Sequence, residues 1–259
     1  MDKKTLSKDG TSIAYRRTGQ GPAVILVSGA MSTGATVAPL AGPLSRHFTV
    51  VVHDRRGRGE SGDTQPYEVR REVEDLAALI DEVGGEASLY GVSSGGALVL
   101  EAAASGLPVR RVAVYEVPYA MDEDAVRQRR EYTARLTEAL GQGRPGDAVE
   151  HFLRLTGLAE EMIQGARQSP MWAAMESIAP SLAYDDACMG DGRVPRDKLA
   201  SLTLPVLSLA GGASPAWMRE AAKEIAGAAA RGTYRSLEDQ THVVDPNVLA
   251  PVLAEFFAD

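Results

Sequence analysis

Cysteine occurs once in this chain of 259 residues, at Cys188, so no internal disulfide can form and a reducing compartment is expected. That thiol sits in a polar stretch with no nearby histidine, which reads as a structural residue. Basic charge is also scarce: 27 Lys and Arg against 35 Asp and Glu leave a formal net charge of −8. A polyanion needs a basic footprint, so this charge argues against nucleic acid as a partner. No apolar run approaches the length that spans a bilayer. The opening stretch, MDKKTLSKDGTSIAY, lacks an apolar core for export or anchoring. A soluble, cytoplasmic protein without a membrane partner is expected. Internal repeats and low-complexity linkers are missing as well, and only four histidines exist to serve as a general base.

What is present is ordinary for a globular protein: 44% hydrophobic and 24% charged residues. The length suits one α/β domain, or one domain carrying an insertion. The most informative stretch is 87–104, ASLYGVSSGGALVLEAAA. Strand character at Ser88, Leu89 and Tyr90 passes through Gly91-Val92-Ser93-Ser94-Gly95-Gly96 into an Ala/Leu-rich helix. Gly91, Ser93 and Gly95 fit G-x-S-x-G with a strand before and a helix after. A turn that sharp holds its serine in a strained backbone and leaves no room for side chains beside it, so glycines fill the flanks. The hydroxyl then stands at the top of a sheet, and the helix start offers free N–H groups to a developing oxyanion. Ser93 is the expected nucleophile, and Ser94 a small residue inside the turn.

Residues 5–17 read as two short strands around Asp9-Gly10. Residues 23–27, AVILV, and 48–53 are continuous apolar runs, the mark of parallel strands buried on both faces. Residues 35–44 suggest a helix with uncertain ends because of Pro39 and Pro43. A 3.6-residue pattern through Val73, Leu76, Leu79, Ile80 and Val83 predicts a helix over 69–83. Further strands are expected at 109–117, 204–210 and 233–237, with helices at 216–229 and 247–257. This alternation means an α/β fold with a mostly parallel sheet, whose catalytic groups gather at the carboxyl ends of the strands. Residues 121–202 break the pattern. They contain helical stretches at 122–140, 147–155, 160–168 and 172–178 and no convincing strand. The expectation is a core of 1–120 and 203–259 with a helical cap, 121–202, inserted over the strand ends.

The loop VSGA, the segment DRRGRGES, the elbow GVSSGG, the inserted cap and the late THVVDP together resemble the α/β-hydrolase superfamily over nearly the full length. The resemblance implies an eight-stranded, mostly parallel sheet with a helical lid, no metal and no cofactor. His242 matches the superfamily's general base: it falls after the last expected strand, where a loop can bend over the elbow. His53 reads as a strand-end residue, and His47 and His151 as solvated. The implied oxyanion hole is the backbone N–H of Ser94 and of Ala30. Where the family usually has His-Gly, this chain has Ser28-Gly29, which alters loop support and leaves the donor in place. Asp54 and the arginines after it match what is mostly a structural loop in this superfamily.

The usual acid position, three residues past the glycine of the penultimate strand, is Ser214 here. A serine cannot stabilise an imidazolium. Glu116 ends the strand after the elbow helix, and parallel neighbours lie only about 5 Å apart with their carboxyl ends aligned. The haloalkane dehalogenases, relatives in the same superfamily, place their acid there, although they use aspartate where this chain has Ser93. Asp239 and Asp245, which flank His242, are rivals; a bland role for Glu116 would be solvation or pairing with Arg56 or Arg111.

These residues lead to a serine hydrolase acting on a small ester, lactone or thioester through an acyl-enzyme. The expected partner is a small molecule with an apolar acyl or alcohol group, lined by Met31, Tyr119, Met171, Trp172, Trp217 and Met218. Trp172 is expected near the pocket mouth, where its truncation would alter substrate preference more than stability. A lyase or cyclase step with Ser93 and His242 handling protons is an alternative, as is a ligand-binding protein without turnover.

Overall fold

A computed structural model describes residues 3–258; Met1, Asp2 and Asp259, assigned above to the core, lie outside the described residues. The strands are β1 (Lys3–Leu6), β2 (Ser12–Thr18), β3 (Ala23–Val27), β4 (Thr49–His53), β5 (Ala87–Val92), β6 (Val109–Tyr115), β7 (Val206–Gly211) and β8 (Gly232–Leu237). They form one 8-stranded sheet in the order β1-β2-β4-β3-β5-β6-β7-β8. The β1/β2 and β2/β4 pairs are antiparallel and every other pair is parallel. The helices are α1 (Ala41–Leu44), α2 (Val69–Asp81), α3 (Ser94–Ala104), α4 (Glu123–Gly141), α5 (Pro145–Leu155), α6 (Glu160–Arg167), α7 (Trp172–Ile178), α8 (Leu182–Cys188), α9 (Arg196–Ala200), α10 (Ala216–Ala228) and α11 (Pro246–Ala258).

The continuous apolar strands are explained by two covered faces. Along β3, Ile25 and Val27 join the core built with α2 and α3, while Val24 and Leu26 join the opposite core with α11. Strand β6 divides the same way, Val112 and Val114 against Ala113 and Tyr115. Side chains alternate across a strand, so a strand buried on both faces has no polar position to spare.

The expected helix over 35–44 is instead two 3₁₀ turns, Gly34–Thr36 and Ala38–Leu40, followed by the short α1. Pro39 and Pro43 lack the N–H that a continuous α-ladder needs. Helices α8 and α9 were not expected: each is short, and neither repeats an apolar stripe over enough turns to stand out. No described residue between β6 and β7 lies in a strand. That segment has its own apolar cluster, including Tyr132, Leu136, Val149, Trp172 and Leu182, against which Ala30 and Met31 pack. No helix among the described residues is long and apolar enough to cross a membrane.

Candidate active site

Ser93 sits between the last residue of β5 and the first of α3, at φ 55° and ψ −129°. A non-glycine residue at positive φ is uncommon and strained. A Cβ on Gly91 would lie 2.3 Å from the Gly95 carbonyl oxygen, and one on Gly95 would lie 2.5 Å from that of Ser28. No side chain fits at either flank, which is the physical content of the motif. The turn is pinned by the Ser93 N–H, which donates to the Tyr115 carbonyl at 2.9 Å. Gly29 is just as constrained, for a Cβ there would approach the Ser93 Cβ to 2.9 Å. The loop after β3 therefore lies directly against the serine.

Four non-glycine residues among those described have positive φ: Met31, Ser93, Glu116 and Asp239. They stand in the connections after β3, β5, β6 and β8 respectively. Strain of this kind persists where surrounding structure over-determines it and clusters at functional sites. Here it marks one end of the sheet.

Glu116 is 1% exposed, and its Oε2 lies 2.8 Å from His242 Nδ1. The two residues follow β6 and β8, so the carboxylate reaches across the end of the intervening β7. There the Gly211 N–H donates to Oε1 at 2.7 Å. A Cβ on Gly211 would sit 2.2 Å from the Gln240 carbonyl oxygen, so only glycine lets the β7 and β8 loops close. Burial alone would push the Glu116 carboxyl up. The bond to His242, the nearby Ser214 hydroxyl and the Gly211 N–H outweigh it, and the carboxyl is held below its ordinary value. Ser214 itself is buried, and its hydroxyl makes no hydrogen bond of normal geometry. Neither rival aspartate bonds the ring: Asp245 accepts from the Asn247 N–H at 2.8 Å near the start of α11, and Asp239 occupies a strained turn. No hydrogen bond joins Ser93 Oγ to His242 among the described residues; in enzymes without substrate such contacts are often long.

Among the described residues the Ala30 N–H donates to no backbone carbonyl. Ser94 opens α3, where the first donors have no partner within the helix. Ser28 is fully buried and its hydroxyl is unpartnered, so it gives the loop no support. Support comes from an unexpected quarter. Arg58 donates to the Gly29 carbonyl at 2.7 Å and Arg55 to the Ser28 carbonyl at 3.3 Å. Both guanidiniums are buried and bind Asp185 of α8 at 2.7 Å each, and the Ser94 hydroxyl donates to the same Asp185 at 2.7 Å. Arg55 also makes a two-pronged pair with Glu72. Arg56 pairs with Asp75 and Asp9 instead of Glu116, while Arg111 lies over the Phe256 ring. Asp54 accepts the N–H groups of Gly34 and Glu60. The DRRGRGES segment is thus a structural loop with its charges internally paired. Cys188 lies beside this cluster, where burial and the Glu72 charge push its thiol up to about 12; an inert thiol results. His53 is buried beside Arg55 and neutral, its imidazole driven down to about 4 by burial.

The expected lining residues separate. Met31 packs beside Ala30 on the apolar cluster that contains Trp172, and Met218 is half-buried on α10. Met171 and Trp217 are exposed. Trp172 is 8% exposed within the apolar cluster of the helical segment, against which Ala30 and Met31 pack. Tyr119 lines a different space, a cavity of about 210 Å³ with Ala97, Glu101, Met189, Arg193 and Leu199. Neither Ser93 nor His242 lines that cavity, and Tyr119 packs in the core built with α3. The roles of Gly29, Gly211, Arg58 and Asp185 escaped the sequence reading. The two glycines and Arg58 stood in segments already singled out there, and Asp185 left no trace. Among the described residues no group of three or more His, Cys, Asp and Glu is placed to hold a metal ion.

A sequence model described as the Alpha/beta hydrolase family matches residues 24–253. The 2-(acetamidomethylene)succinate hydrolase of Mesorhizobium japonicum is 30% identical over 248 residues, covering 91% of this chain and 84% of that protein. Among solved structures, an alpha/beta hydrolase from Sphaerobacter thermophilus is 50% identical with a TM-score of 0.89, covering 98% of this chain and 100% of the other. The enol-lactonase of Burkholderia xenovorans shares the fold at a TM-score of 0.70 and 22% identity, covering 99% and 100%.

Proposed function

The chain belongs to the alpha/beta hydrolase family, and on that premise we propose that it is a serine hydrolase cleaving a small ester, lactone or thioester through an acyl-enzyme. Ser93 Oγ attacks the acyl carbon while His242 takes its proton. The carbonyl oxygen becomes an oxyanion held by the N–H groups of Ala30 and Ser94. Collapse expels the alcohol or thiol, which leaves with the proton from His242. Water then attacks the acyl-enzyme, again giving a proton to His242, and the acid departs as Ser93 regains its hydrogen. Glu116 accepts the Nδ1 hydrogen of His242, fixes the tautomer and stabilises the imidazolium. Residues 121–202 cap the site and limit its water.

The observation that carries this reading is the 2.8 Å contact between His242 Nδ1 and a buried Glu116 carboxylate, at the sheet end where Ser93 is strained. A buried carboxylate held charged against an imidazole supports base catalysis and has little purpose in a passive binding protein. The substrate of the Mesorhizobium relative is a succinate derivative by name. Arg55 and Arg58 are buried and paired with carboxylates here, so they offer no free charge to an anion, and a neutral apolar acyl or alcohol group is the better match.

The experiment is a panel of p-nitrophenyl esters of graded acyl length, with a lactone and a thioester, assayed on wild type and Ser93→Ala. Wild type turns over the short-chain members, and Ser93→Ala loses nearly all activity with a thermal midpoint close to wild type. Substantial residual activity in Ser93→Ala would remove the serine mechanism.

A further inference from the structure

The loop that carries the Ala30 donor is held from an unusual direction. A trans peptide is planar, and its C=O and N–H point to opposite sides. The Gly29 carbonyl and the Ala30 N–H belong to one such plane, so whatever grips the carbonyl aims the N–H. Two donors grip it: Arg58 at 2.7 Å and the Ser32 hydroxyl at 2.7 Å. Arg58 also reaches the Ser32 carbonyl at 3.3 Å. Its other nitrogen, Nη2, is fixed to Asp185 Oδ2 at 2.7 Å. Asp185 Oδ1 accepts from Arg55 Nη1 and from the Ser94 hydroxyl, both at 2.7 Å. One carboxylate on α8 therefore anchors both segments whose N–H groups face the oxyanion in the reading above.

We propose that Asp185 is the positioning residue of the oxyanion hole: through Arg58 it aims the Gly29–Ala30 peptide, and through the Ser94 hydroxyl it fixes the start of α3. The inference rests on the serine-hydrolase reading. Asp185 touches no reacting atom and acts only through these partners. Charge-assisted bonds of this kind are short and directional, and at 6% side-chain exposure water does little to loosen them. The arrangement also ties the chemistry to the helical segment, because any shift of α8 is felt at both donors. Ser28, with its unpartnered hydroxyl, leaves this network as the loop's main support.

The test compares wild type with Asp185→Asn, which keeps the shape but serves two guanidiniums with a single neutral oxygen. Steady-state kinetics on a p-nitrophenyl ester are paired with inhibition by an aryl trifluoromethyl ketone. The Ser93 oxygen adds to that ketone's carbon, the serine proton moves to His242, and the ketone oxygen becomes an oxyanion. Active sites are counted by titration, so that misfolded protein is not read as slow enzyme. Misaligned donors lower kcat per active site by about 10- to 100-fold, with KM within about threefold of wild type. Ketone affinity falls by the same factor as kcat/KM. An unchanged kcat, or a lower kcat with undiminished ketone affinity, overturns the inference. Should Asp185→Asn fail to fold, Arg58→Lys replaces it: the charge is kept, but one ammonium cannot bridge Asp185 and the Gly29 carbonyl. The same pattern is expected, and wild-type kinetics in Arg58→Lys overturn the inference. Wild type that neither turns over esters nor binds the ketone would instead fell the serine-hydrolase reading, and the inference with it.

Discussion

Tyr115 donates its hydroxyl to the Thr241 carbonyl at 2.5 Å, and the next residue along, Glu116, holds the ring of the next residue along, His242. Two consecutive side chains leaving β6 thus set the backbone and the imidazole of the loop after β8. Tyr115 is fully buried, so its ring is a fixed post.

Tyr115→Phe removes one hydrogen bond and leaves the Thr241 carbonyl to find another donor. The expected cost is about 1 kcal/mol of stability, with a fall in kcat of about three- to tenfold as the imidazole loses its register. Denaturant melts and ester kinetics on the same preparation check both numbers. An unchanged kcat would mean that Glu116 alone suffices to place the ring.

Glu116→Gln keeps the shape and removes the charge, and is expected to lower the rate by up to roughly 10⁴. Asp239→Asn and Asp245→Asn are expected to cost far less, since neither side chain bonds His242. Adding Ser214→Asp to Glu116→Gln restores a carboxylate near the end of β7 and recovers part of the loss. The recovery is limited because Ser214 is already buried in a loop packed around a hydroxyl. Full activity in Glu116→Gln would shift the role to a dyad or to a flanking aspartate.

The sheet and the elbow were legible because their determinants are local. The run AVILV gives β3 to the residue, and glycines flank Ser93 because backbone oxygens occupy the space of their side chains. The pairing of Glu116 with His242 was one reading that the resemblance to the α/β hydrolases offered, with a serine at the usual acid position and parallel strand ends aligned; Asp239 and Asp245 stood beside it as rivals. The role of Asp185 could not be read there. It lies on α8, a helix of 7 residues, far along the chain from Arg55, Arg58 and Ser94, and nothing local marks an aspartate that will be buried between two arginines. Trp172 and Tyr119 were hard to place for a related reason. A large aromatic in a helical segment satisfies a core and a pocket equally well, and only tertiary packing tells them apart.

Trp172→Ala is expected to destabilise the protein by about 3–5 kcal/mol, as truncation of a buried aromatic does when the site cannot collapse. Any change in substrate preference follows from the loosened cluster under Ala30 and Met31. Thermal denaturation decides the point, and a midpoint within a degree or two of wild type would place Trp172 at the pocket mouth.

Glu72 is buried, yet the Arg55 charge and its hydrogen bonds outweigh burial and draw the carboxyl down to about 2. A depressed carboxyl stabilises the fold above its unfolded value and loses that contribution as pH falls through the folded one. The ordinary value is 4.5, so the contribution is lost over the window from there down to about 2. Glu72→Gln is expected to be much less stable than wild type at pH 7, with the gap narrowing through that window. A gap that stays constant in acid would show that the loss comes from packing rather than charge.

Covalent labelling tests the central claim most directly. A fluorophosphonate transfers its phosphonyl group to an activated serine and releases fluoride, so intact mass and peptide mapping report which residue reacted and how fast. The expected result is one adduct per chain, on Ser93, absent in Ser93→Ala and strongly slowed in both His242→Ala and Glu116→Gln. No adduct, an adduct elsewhere, or labelling of Ser93 at an undiminished rate without His242 would contradict the account.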